Sequence, residues 1–90
     1  MRLRWMPSAA ADLASISDYL TASRPAFRDR TIRQIHDTLR ALRKYPNRGR
    51  LGKRPGTREI LFQPMPYLAI YRIQEDTIEV LRILHGAQQR

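Results

Sequence analysis

Only Glu75 and Asp76 separate the apolar segment 67–74 from the apolar segment 77–85, and that spacing commits the end of this chain to a β-hairpin. Both segments are apolar at successive positions rather than at alternate ones. Strands of that kind are expected at the centre of a sheet, covered on at least part of each side. In this pairing Gln74 lies opposite Thr77 and Arg72 opposite Glu79, a cross-strand ion pair. Continued without a break, the register puts His85 on one face with Arg72, Leu81 and Ile83. Arg82 then turns to the other face beside Ala69. A slip of one residue reverses these faces.

The segments upstream supply the rest of an α+β domain. Residues 2–6 alternate, with Leu3 and Trp5 on one side and Arg2 and Arg4 on the other, as in a short half-buried strand. Pro7-Ser8 ends it, and Ser8 is placed to cap a helix opened by Ala9, Ala10 and Ala11. Leu13, Ile16 and Leu20 give that helix one apolar face, and Asp12 near its start suits the macrodipole. Ser23-Arg24-Pro25 interrupts the pattern, so a second helix begins near Pro25. Phe27, Ile32, Ile35, Leu39 and Leu42 form its expected buried stripe, and the short break makes a helical hairpin. Tyr45-Pro46-Asn47 stops it. Residues 47–57, broken by Gly49, Gly52 and Pro55-Gly56, read as an exposed loop. Residues 58–63 form a strand with Ile60 and Phe62 on one side, and Pro64-Met65-Pro66 is a turn. The expected order is βααβββ in one domain over residues 1–90, with no internal repeat.

Charge limits what such a domain meets. Ninety residues carry 17 Lys and Arg against 8 Asp and Glu, a formal charge of +9. Between Arg40 and Arg58 stand eight cations and no acid: Arg40, Arg43, Lys44, Arg48, Arg50, Lys53, Arg54 and Arg58. The summed field of such a stretch favours polyanions over small metabolites. A chain of this size holds one modest core, and an acidic partner that neutralises the charge would stabilise it. The absence of cysteine removes disulfides, thiolate metal sites and cysteine nucleophiles. No apolar run approaches the roughly 20 residues of a membrane helix, and the first residues lack a signal-peptide core. A cytoplasmic protein without membrane contact is expected.

Few residues carry catalytic chemistry. His85 is the one group near the sheet that could move protons at neutral pH, although a strand-end histidine commonly has a structural role. His36 lies on the second helix and reads as structural. Two isolated histidines without clustered carboxylates give no metal site, and no cofactor motif is present. The serines lack a nucleophile setting, and no paired carboxylates offer acid–base work.

Residues 10–16 (Ala-Ala-Asp-Leu-Ala-Ser-Ile) opening the hairpin, Ile70-Tyr71-Arg72-Ile73 in one strand, and residues 78–86 (Ile-Glu-Val-Leu-Arg-Ile-Leu-His-Gly) resemble the RelE/ParE superfamily of bacterial toxins. The resemblance spans nearly the whole chain. It implies a small, mostly antiparallel sheet packed by an N-terminal helical hairpin, and a type II toxin–antitoxin module serving plasmid stabilisation or growth arrest. A cognate antitoxin encoded beside it would cover the sheet and hairpin surface in a hetero-oligomer, folding a disordered and often acidic segment upon it.

One branch of the superfamily cleaves mRNA on the ribosome; the other resembles ParE and poisons DNA gyrase. The nuclease branch usually carries an arginine after the aromatic of the third strand, whereas Leu68 follows Tyr67 here. Nor does a basic or aromatic residue follow His85; Gly86-Ala87-Gln88-Gln89 does. The ParE-like branch is therefore the expected one, a non-enzymatic gyrase poison. The alternatives are a ribosome-dependent mRNA endonuclease using Arg58, Arg72, Arg82 and His85, and a non-toxic nucleic-acid-binding module. Target contact is expected through Arg48, Arg50, Lys53, Arg54, Arg58, Arg72, Arg82 and His85.

Overall fold

A computed structural model describes residues 1–86. Strand β1 (Arg2–Trp5) leads into helices α1 (Pro7–Ser23) and α2 (Pro25–Ala41), followed by β2 (Arg50–Leu51), β3 (Thr57–Leu61), β4 (Tyr67–Gln74) and β5 (Thr77–His85). The five strands form one sheet in the order β1-β5-β4-β3-β2. β1 runs parallel to β5, and the other neighbours are antiparallel. The expected fold holds, with β4 and β5 central, and one element is added. The cationic segment is not all loop, because Arg50 and Leu51 pair with Glu59 and Arg58 as a two-residue edge strand. Both edges are short, and β1 carries Arg2 and Arg4, which discourages further strand addition.

The second helix begins at Pro25 as expected, whereas the start of the first differs from the expectation. Pro7 is the first helical residue rather than the end of the strand, and Met6 takes the cap position without a side-chain bond. Proline suits that position because its φ is already helical and its missing N–H would be unpaired there anyway. Ser8 is consequently inside α1. Asp12 lies beyond the first turn, where the macrodipole is weak, and its carboxylate has a different partner.

The core lies between the hairpin and one sheet face. Ile35, Leu39 and Leu42 of α2 and its following turn pack with Ala9, Ile60, Phe62, Ala69, Tyr71, Ile78, Val80 and Ile83. Each large side chain buried there stabilises the fold by about 1.5–3 kcal/mol. Phe27, expected in the buried stripe, is exposed near the start of α2, and Ile32 is only half-buried. The apolar residues of the stripe are fully buried only from Ile35 onward, and a groove borders its N-terminal end.

A β-bulge decides which β5 side chains face the core. Arg72 pairs with Glu79 and Tyr71 with Val80 as expected, but Ile70 then pairs with Arg82, which leaves Leu81 as the extra residue. The unbroken register is thus corrected by one position. Unbroken, it would drive Arg82 toward the helices and Ile83 outward. With the bulge, Ile83 is 2% exposed in the core, and Arg82 shares the face of Arg72. Burying an unpaired guanidinium would cost far more than one unpaired strand position. The same shift moves His85 opposite Tyr67, on the hairpin face and away from Arg72.

Candidate functional site

The cations expected to act together are sorted by the fold into separate places. Arg72 Nε donates to Glu79 Oε1 at 2.6 Å, and Arg4 lies 3.9 Å from the other Glu79 oxygen. Arg50 donates to Glu59 Oε1 through Nε and Nη2, at 3.3 and 3.1 Å. Both glutamates are buried on the face turned away from the hairpin. Their charges are therefore held next to arginines rather than left for water.

Arg82 is engaged more tightly. β1 stops pairing with β5 at Val80, leaving the next stretch of that edge without a strand partner. Asp12 of α1 fills the gap. Its carboxylate accepts from Arg82 Nε at 2.7 Å, Arg82 Nη2 at 3.0 Å and the Ile83 backbone N–H at 2.9 Å. The hydrogen bonds from Arg82, and then the Asp12 charge itself, raise the guanidinium above its ordinary range. This clasp ties helix to sheet.

Arg58 serves the cationic segment itself. Its Nη1 donates to the Gly49 carbonyl at 2.7 Å and more weakly to that of Asn47 at 3.4 Å. Beside it the Tyr71 hydroxyl donates to the Pro46 carbonyl at 2.7 Å and accepts from the Gly49 N–H at 2.9 Å. Gly49 is required by this approach, since a Cβ there would lie 2.7 Å from the Tyr71 hydroxyl. Burial pushes the Tyr71 phenol up, against the pull of the Gly49 bond and the Arg58 charge. The segment is therefore pinned at its base. Among the described residues no ion pair joins Arg48, Lys53 or Arg54 to a carboxylate.

A groove of about 810 Å³ opens where α1 ends and α2 begins. Leu20, Met65 and Tyr67 line it together with Tyr19 and Phe27, and Arg24, Arg30 and His85 also border it. Arg30 lies 4.9 Å above the Phe27 ring. His85 meets Tyr67 edge-on, with ring centroids 5.7 Å apart. Burial, and then the nearby Tyr19, raises the Tyr67 phenol. No short-range pattern marks this groove, because Phe27 obeys the core spacing and Met65 sits inside a turn. His36, half-buried against Trp5 at 5.4 Å, is structural. Among the described residues no group of three or more His, Cys, Asp or Glu could hold a metal, and no helix is long and apolar enough to cross a membrane. The polar tail 87–90 lies outside the described residues.

Sheet, hairpin, pinned cationic segment and aromatic groove define a class: a small, basic α+β domain whose exposed surfaces suit macromolecules. The family described as "ParE toxin of type II toxin-antitoxin system, parDE" matches residues 3–90. The chain belongs to that family and is a toxin of the type II toxin–antitoxin class. It is 35% identical over 88 residues to the Y4kP protein of Sinorhizobium fredii, covering 98% of this chain and 91% of that one. Toxin RelE2 of Caulobacter vibrioides is 32% identical over 93% of each chain. Among solved structures, a chain of the chromosomal ParDE system from P. aeruginosa superposes with a TM-score of 0.86 at 30% identity, covering 94% of this chain and 95% of that one. A copper-bound toxin variant from Helicobacter pylori shares the fold at a TM-score of 0.65 and 18% identity, over 97% of this chain and 96% of its own.

Proposed function

We propose that this toxin acts by binding DNA gyrase rather than by cutting mRNA, and that a cognate antitoxin silences it by occupying the aromatic groove. One observation carries the choice of target: the residues a nuclease would need are apart. Arg72 and Arg82 lie on one face of the sheet, each held by a carboxylate, while Arg58 and His85 lie on the other. A phosphoryl-transfer site needs cations aimed at one developing charge. Guanidiniums already satisfied by Glu79 and Asp12 supply little of that field.

The groove favours a peptide segment of defined chemistry. Its floor takes aliphatic or aromatic anchors, and Arg24 and Arg30 beside it attract acidic residues. An acidic antitoxin segment would also relieve the self-repulsion of a chain with a net charge of +9.

Expression in bacteria without the neighbouring gene tests the target. Growth arrest with gyrase-linked DNA breaks supports the reading. Codon-positioned mRNA ends on ribosomes would reject it in favour of the endonuclease, with His85 beside Tyr67 as the group to examine first. Harmless expression, together with no binding to the neighbouring gene product, would reject both.

A further inference from the structure

Tyr45 follows the end of α2 in the turn that leads to β2, and it is 48% exposed. Two cations share its ring. The Arg48 guanidinium lies 4.8 Å from the centroid and the Lys44 ammonium 5.5 Å from it. Arg43 is the next residue upstream, and its Nε bonds only weakly to the Arg40 carbonyl, at 3.3 Å. The two acids nearest in sequence are engaged elsewhere, Asp37 with Arg40 and Glu59 with Arg50. The cluster thus keeps its full charge.

Cations at a helix C-terminus are favoured by the macrodipole, which accounts for Arg43 and Lys44. It does not account for an exposed aromatic ring that brings a second cation against the first. Like charges gathered around one π-surface repel each other, and a polyanion bound there relieves the repulsion. The flat ring adds a requirement that phosphate alone does not meet. A base can stack on it only when the base face is free, which a duplex does not allow.

We propose that Tyr45, with Arg43, Lys44 and Arg48, is a docking platform for single-stranded nucleic acid, the ring stacking a base while the three cations contact flanking phosphates. DNA and RNA share this chemistry. The inference is independent of the gyrase reading, since its readout is binding and not growth arrest.

The test uses the full chain and fluorescein-labelled oligo(dT) and oligo(U) of about 15 nucleotides, with a duplex of equal length, read by anisotropy. Binding to both single strands is expected to exceed duplex binding, and to weaken between about 50 and about 200 mM salt. Tyr45→Ala should lose about tenfold in affinity at an unchanged salt slope, while Tyr45→Phe retains binding. Arg48→Ala and Lys44→Ala should each lower the slope by about 0.7. Arg28→Ala, in the first turn of α2 and far along the helix from Tyr45, should change neither the slope nor the affinity by more than about twofold. Preference for one of the two single strands identifies the natural source. Duplex binding as tight as single-strand binding, full affinity in Tyr45→Ala, or no binding at the lower salt would each overturn the proposal.

Discussion

Asp12 and Arg82, seventy positions apart, form a bidentate pair whose carboxylate also accepts the Ile83 N–H, so one acid closes the sheet edge that β1 leaves open. Removing the acid leaves a backbone donor and a guanidinium without their partner. Asp12→Ala should cost about 1–3 kcal/mol, and Arg82→Ala less, because the Ile83 bond survives. Thermal unfolding of the two variants and the double variant checks this. If Arg82→Ala equals Asp12→Ala, the backbone bond contributes nothing.

Leu39 is wholly buried between α2 and the sheet. Leu39→Ala opens a cavity and should destabilise by about 2–5 kcal/mol in urea titrations. A loss well under 1 kcal/mol would mean that the hairpin does not pack there as described.

Tyr71 links alkaline pH to stability. Burial raises its folded-state value, so the native protein holds that proton more tightly than the unfolded chain does. Its contribution is complete below about pH 10 and is lost as pH rises through the higher folded value. Tyr71→Phe should cost about 1–3 kcal/mol at neutral pH, because the Pro46 carbonyl and Gly49 N–H lose a partner. It should also flatten the fall in urea midpoint above about pH 10. An equally steep fall in the variant would assign the effect to other groups, Tyr67 first.

Phe27 is exposed at the groove and stacked by Arg30. Phe27→Glu should leave the melting temperature nearly unchanged but weaken capture of the antitoxin by more than about tenfold in calorimetric titration. Unaltered capture would place the antitoxin elsewhere on the surface.

Lys53 and Arg54 sit in the cationic segment without an acid partner among the described ion pairs. Reversing both charges should relieve growth arrest while changing stability by no more than about 0.5 kcal/mol. Full toxicity in the folded double variant would remove this segment from the target contact.

Much of the architecture was legible because it is local. The two-residue separation at Glu75-Asp76 fixes the hairpin, and the break at Ser23-Arg24-Pro25 fixes the helical one. Arg72 opposite Glu79 follows from counting outward from the turn, and the count holds as far as Val80. Past that point a bulge competes with the unbroken ladder, and only the relative cost of burying Arg82 or Ile83 chooses between them. That choice needs the helices in place, so His85 could not be assigned to a face from its position in the chain.

The site divides along the same line. The sequence alone determined the charge surplus, the order of every element except β2 and the chemistry available, because composition and short-range spacing carry them. Tertiary structure alone decided which cations are spent and which are left over. Arg72–Glu79 could be counted from the turn, but Glu59 and Asp12 reach their arginines from a neighbouring edge strand and from helix to sheet, contacts that no local pattern encodes. The groove likewise forms only where the end of α1 and the start of α2 meet residues 64–67 and His85, a consequence of packing between elements distant in the chain.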